Sequence, residues 1–158
     1  MRNAIKMLGL VFVLALSACG SEKSDNLAQF IGTWRATAGT TTVICPGYAP
    51  FTGALSGNAV WSEGVSSDLL LMNEAIVTCP IMADVTKSTA SGVPGQTCTE
   101  PDGAGGTSIV SFSSYTFVIA PDGQTASENS SGQVTYVVDG ASVVCTFNET
   151  GSHQKIGN

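Results

Sequence analysis

Gln133-Val134-Thr135-Tyr136-Val137-Val138-Asp139-Gly140-Ala141-Ser142-Val143-Val144-Cys145-Thr146-Phe147 is the stretch that decides the fold. Two runs rich in β-branched and aromatic side chains flank an Asp-Gly pair. Such a pair supplies the positive φ values that a tight type I′ turn needs, so the stretch predicts a β-hairpin. Alternation along the second strand puts Val143, Cys145 and Phe147 on one face. Immediately upstream, Ile109 to Ala120 predicts a long strand, Pro121-Asp122-Gly123 a turn, and Gln124 to Asn129 the returning strand.

Working outward, the same pattern recurs. Asp25 to Phe30 predicts one helical turn capped by Asp25 or Asn26, with Leu27 and Phe30 on one face and Gly32 ending it. Trp34 to Ala38 and Thr40 to Cys45 read as two strands turning at Gly39, followed by a loop through Pro46-Gly47, Pro50 and Gly53. Asn58–Trp61 and Asp68–Met72 form the next pair. Between Ile76 and Val85, the residues Val77, Cys79, Ile81, Ala83 and Val85 make a clean apolar face, while Pro80 marks an edge or a bulge. Lys87 to Gln96 reads as a loop, Thr97 to Glu100 as a short strand, and Pro101 to Gly106 as the most flexible stretch. Strands every 8–12 residues without a long helix predict an all-β domain. A single antiparallel meander of this kind favours a small β-barrel over a β-sandwich.

Twelve acidic residues stand against six basic ones, a formal charge of −6. There is no basic stripe, so nucleic acid is excluded as a partner. Charge is sparse and the chain is rich in Ser, Thr, Gly and Val, a composition that favours strands over helices. Apolar alternation argues against disorder.

The amino-terminal segment has its own pattern. Arg2 and Lys6 precede a run of 12 uncharged, mostly apolar residues, Met7 to Ala18. A helix needs about 20 residues to cross a bilayer, so this is a secretory leader and not a span. The leader closes on Leu16-Ser17-Ala18-Cys19, which resembles the lipobox of bacterial lipoproteins. The resemblance implies removal of residues 1–18, diacylglycerol on Cys19, and further acylation (palmitate or a similar chain) of the new amino group. Two or more acyl chains anchor stably where one does not. The position after the cysteine is Gly20 and not the retaining Asp of the enteric sorting pattern, which favours the outer membrane of the cell envelope. Residues 19–26 then form the lipidated cysteine and a short polar tether, and 27–158 the antiparallel β domain. Without the leader, four cations (Lys23, Arg35, Lys87, Lys155) face twelve acids, for a charge of −8.

Cys45, Cys79, Cys98 and Cys145 remain after lipidation. An even number in an exported chain predicts two disulfides, in one of three pairings. Cys79–Cys98 with Cys45–Cys145 is preferred, because the first closes a short excursion and the second ties early to late strands. No pair has the close spacing of zinc ligands, so no metal and no cofactor is expected.

No catalytic residues are evident. His153 is the only imidazole and lies in a polar tail, where a surface position is expected, and there is no Gly-x-Ser-x-Gly. Glu63, Asp68 and Glu74 lie close in sequence, but no spacing singles out a general acid–base pair. Asp102-Gly103 and Asp122-Gly123 lack the alternating oxygen ligands of a calcium loop and read as turns.

Phe30-Ile31-Gly32-Thr33-Trp34 resembles the Gly-x-Trp opening of lipocalins and related calycin barrels. That family's pattern has a helical turn leading into the first strand and a Trp plugging the closed end. Its late Arg, stacked on the Trp, has no counterpart here beyond Lys155. The resemblance implies a cup for a small apolar ligand. On these grounds the expectation is a non-catalytic binding module for a small molecule or a carbohydrate, with Trp34, Trp61, Tyr48 and Phe51 as ligand-contacting candidates. A structural lipoprotein contacting other envelope components is the alternative, and a hydrolase using Glu63 or Asp68 the third.

Overall fold

A computed structural model describes residues 26–64, 69–73, 77–101, 106–138 and 141–158. The leader, Cys19, most of the tether, Asp68, Glu74, Asp102 and the Asp139-Gly140 turn lie outside the described residues.

The described chain enters through a helical turn at residues 26–30, closed by the Phe30 amide donating to the Leu27 carbonyl at 3.0 Å. Ten strands follow: β1 (Gly32–Ile44), β2 (Phe51–Ala54), β3 (Asn58–Glu63), β4 (Leu69–Asn73), β5 (Val77–Thr86), β6 (Thr89–Gly92), β7 (Thr97–Pro101), β8 (Thr107–Ile119), β9 (Thr125–Val138) and β10 (Ala141–Gly157). All their pairings are antiparallel and belong to one sheet, so the fold is all-β and the two-sheet sandwich is not formed.

The barrel expected from the meander is also not completed along the strands. At the end carrying Trp34 the pairing runs all the way round. There β1 meets β3 through Gly32–Arg35, β6 meets β8 through Thr89–Ser91, and β10 lies along β1. Toward the other end the same edge of β1 carries β2, and the same edge of β8 carries β7. No ladder joins β2 to β7 among the described residues, so the sheet is rolled at one end and open at the other.

Two predicted breaks are continuous strand. Gly39 does not turn the chain: it sits inside β1 at φ +147°, where a Cβ would lie 2.3 Å from the Thr150 carbonyl oxygen of the neighbouring strand. The extra residue is absorbed by a register shift between Ala36 and Ala38. Gly132 likewise lies within β9, with the Phe147 ring packed over it. Two predicted loops also hold strands, β2 in the first and β6 in the second, and β10 continues ten residues past Phe147. Pro80 sits next to a register shift, as a residue without an amide donor should.

Cys45 and Cys145 form the disulfide, one rung beyond the Ile44–Thr146 pair. It is the one disulfide placed among the described residues, against the two expected. Cys98 is not a free thiol. The Cys79 side chain lies outside the described residues.

Candidate functional site

Register places one residue from each long strand at each level of the interior. Beginning at the rolled end, Leu27, Phe30, Trp34, Trp61, Ile81, Phe117 and Ile119 form a buried aromatic-rich cluster. Trp34 meets Phe117 edge-on at 5.3 Å between centroids, and Trp61 meets it at 5.1 Å. The Trp34 indole N–H donates to the Phe30 carbonyl at 2.8 Å, so the helical turn is tied to the strand it leads into. Lys155 Nζ lies 5.6 Å from the Trp34 ring centroid and donates to the Gln29 carbonyl at 3.1 Å. A cation therefore covers this Trp from the last strand. At the open end Val110, Val134, Cys145 and Phe147 make a smaller cluster beside the disulfide.

On β9 and β10 the wall facing the rolled-end cluster carries polar side chains. Continuing the alternation of Cys145 and Phe147 along β10 reaches Glu149, Gly151 and His153, and β9 contributes Ala126, Glu128 and Ser130 on the matching face. Glu128, His153, Glu149 and Ser130 are all buried, as is Tyr115, which lies opposite Ser130 on β8. His153 Nε2 lies 2.6 Å from Glu128 Oε2, the separation of an ion pair, but without hydrogen-bond alignment. The Thr41 hydroxyl donates to Glu149 Oε2 at 2.6 Å from β1. Leu55, from the β2–β3 connection, covers the Gly151 backbone next to His153.

Electrostatics follow from this burial. Desolvation pushes the Glu149 carboxyl above the ordinary glutamate value. The neighbouring Glu128 charge adds to the rise, while the Thr41 hydrogen bond and His153 oppose it. Burial raises the Tyr115 hydroxyl well above its usual value, and the charges of Glu128 and Glu149 push it further. The Tyr115 hydroxyl hydrogen-bonds to Glu128, which also pairs with His153, while the Trp61 indole nitrogen and His153 Nδ1 are buried without a hydrogen-bond partner.

The four ligand candidates from sequence do not gather. Trp34 and Trp61 are 0% and 1% exposed, filling the rolled-end core. Tyr48 and Phe51 are 71% and 67% exposed and belong to the open end. Glu63 is exposed at the end of β3. Asp122 is a turn residue: its Oδ1 accepts from the Gln124 and Thr125 amides and its Oδ2 from the Thr125 hydroxyl. Nor is His153 on a surface tail, because β10 continues through it and pairs with β9 at Ala126.

Glu128, Glu149, Tyr115 and buried His153 are thus the residues that sequence reasoning missed. A signal for them existed, in that all three β9 and β10 residues keep the inward phase of apolar neighbours. Among the described residues, no three His, Cys, Asp or Glu side chains converge to hold a metal ion. No family model, curated protein or solved structure matches this chain.

Proposed function

We propose that the chain is an envelope lipoprotein, held to the outer membrane through lipid on Cys19, whose β domain is a non-catalytic binding module for a small molecule. The observation that carries this reading is the set of buried polar groups Glu128, Glu149, Tyr115 and His153, set into the wall of an otherwise apolar interior at the levels of Tyr115, Phe117 and Ile119. An apolar interior with a few convergent polar groups is the usual composition of a ligand site. The half-rolled sheet supplies the shape, with its plugged end at Trp34 and its open end between β2 and β7. The helical turn at residues 26–30 lies at the plugged end and is the first described element after the tether. Cys79–Cys98 is the second disulfide in this reading. It would bind β7 to β5, which lie against one another.

Anchoring is tested by metabolic labelling with a palmitate analogue: wild type takes the label and Cys19→Ser does not. Binding is tested by extracting the purified full-length lipoprotein with organic solvent and acid and identifying co-purified small molecules by mass spectrometry. Wild type should yield a compound that the Glu128→Gln/Glu149→Gln double variant lacks, and equal extracts would count against the reading.

The exposed pair Tyr48 and Phe51 favours the second reading, contact with another envelope component. Photo-crosslinking residues at both positions in intact cells should then trap a partner protein, and recovery of the monomer alone would discount it.

A further inference from the structure

We infer that the outer face of the long strands carries a separate binding site, selective for an uncharged glycan and centred on a cavity beside the β8–β9 turn. It lies on the opposite side of the sheet from Glu128 and His153, so it goes beyond the interior groups described above. Register lays five outward rungs between β9 and β10, from Thr125–Gln154 to Gln133–Thr146, and every member is Ser, Thr, Asn or Gln. These positions are out of phase with buried Ala126, Glu128, Glu149 and His153, and so they face outward. The rows continue into Ser114 and Thr116 on β8 and into Thr40 and Thr42 on β1. Protein surfaces ordinarily mix Lys, Arg, Glu and Asp. Here the acids of β9 and β10, Glu128 and Glu149, point inward, in a chain with twelve acidic residues. Among the described residues of this face Arg35, near the rolled end, is the one charge.

A cavity of about 970 Å³ is the second, independent observation, and it crosses β8, β9 and β10 beside the β8–β9 turn. Ligand sites commonly enclose ~300–1,000 Å³. Thr125, Ser127, Ser152 and Gln154 of the outward rows line it, and Val118 and Pro121 give it an apolar patch. Hydroxyl and amide side chains both donate and accept hydrogen bonds, which matches the hydroxyls of a sugar. The C–H faces of a sugar ring gain dispersion contacts against carbon such as Val118 and Pro121. Charge then separates the ligand classes. An anion is held best by cations and a cation by carboxylates, and the one ionisable residue lining the cavity, His153, turns its ring inward to Glu128. From Thr125 to Gln133 the rows run for roughly 27 Å, at ~3.4 Å per residue, which accommodates an oligosaccharide lying along the strands.

The test is affinity electrophoresis of the full-length lipoprotein in detergent gels containing dextran, mannan or laminarin, beside gels with anionic polygalacturonate or no polymer. At least one neutral polymer should retard the wild type, and polygalacturonate should not. Ser127→Glu/Ser152→Lys fills the cavity with a cross-strand pair of opposite charges, which a sheet tolerates. It should weaken the retardation about tenfold, the scale of losing one or two hydrogen bonds. Native Trp fluorescence checks that this variant folds; if it does not, Gln154→Leu at the exposed rim decides in its place. No retardation by any neutral polymer overturns the inference, as does retardation that the cavity variants leave unchanged. Equal retardation by polygalacturonate overturns the selectivity for an uncharged glycan. None of these outcomes bears on the solvent extraction above, so this site and the interior module fail separately.

Discussion

The rolled end and the open end of this sheet are stabilised by different means. At the rolled end four aromatic rings, Phe30, Trp34, Trp61 and Phe117, are fully or almost fully buried and touch one another, and strand pairing encircles them. At the open end the core is one small cluster, the pairing stops at two edges, and a covalent bond links β1 to β10. Buried area and ring contacts suffice where the sheet surrounds its core. Where it does not, a cross-link restricts the chain instead. The polar residues of β9 and β10 border the rolled-end cluster, with the Phe117 ring against His153.

Truncating the centre of the aromatic cluster should be the most damaging change. Phe117→Ala removes a ring touching Phe30, Trp34, Trp61 and His153 and should cost about 3–5 kcal/mol in denaturant unfolding. Phe147→Ala, at the open end, should cost less; an equal loss would erase the distinction between the ends. Next comes the cross-link. It closes a sequence separation of 100 residues, so Cys45→Ala/Cys145→Ala should lose about 2–5 kcal/mol. Hydrogen exchange should accelerate at residues 40–44 and 141–147 while Trp fluorescence stays native. Exchange that accelerates uniformly would show that the ends unfold as one unit.

These buried polar groups give a pH signature. Because the folded state raises the Glu149 pKa, its contribution to stability is fully present below the unfolded-state value. It is lost as pH rises through the higher folded value. Glu149→Gln should flatten that decline in unfolding free energy measured against pH. An unchanged slope would mean that Glu149 is solvated. Lys155→Gln should cost about 0.5–1 kcal/mol by removing the cation from the Trp34 ring. Asp122→Ala should be the mildest. Its carboxyl is held below the ordinary aspartate value by backbone amides of Gln124 and Thr125, so any stabilisation it provides disappears as pH falls. A slight loss of Tm at neutral pH, absent in acid, is the expected reading.

The strand content was legible because each strand needs only its own residues: β-branched alternation and Gly/Pro punctuation marked β3, β4, β5, β7, β8 and the β9–β10 hairpin. The Cys45–Cys145 pairing was legible from the logic of tying early to late strands. Gly39 misled, since it carries the same letter as a turn glycine. Whether a Gly turns the chain or lets a neighbouring group come close depends on that neighbour, here the Thr150 carbonyl.

The amino-acid sequence by itself determined an acidic all-β chain with a Trp set just past a helical turn. All of these are local properties of composition and spacing. Only the tertiary structure decided that the sheet rolls at one end and stays open at the other, and that Glu128, Glu149 and His153 face inward together. Their inward phase is written in β9 and β10. But a polar residue in phase with a core looks like a strand's end until the neighbouring strand is seen running past it, and that pairing joins residues far apart in the chain.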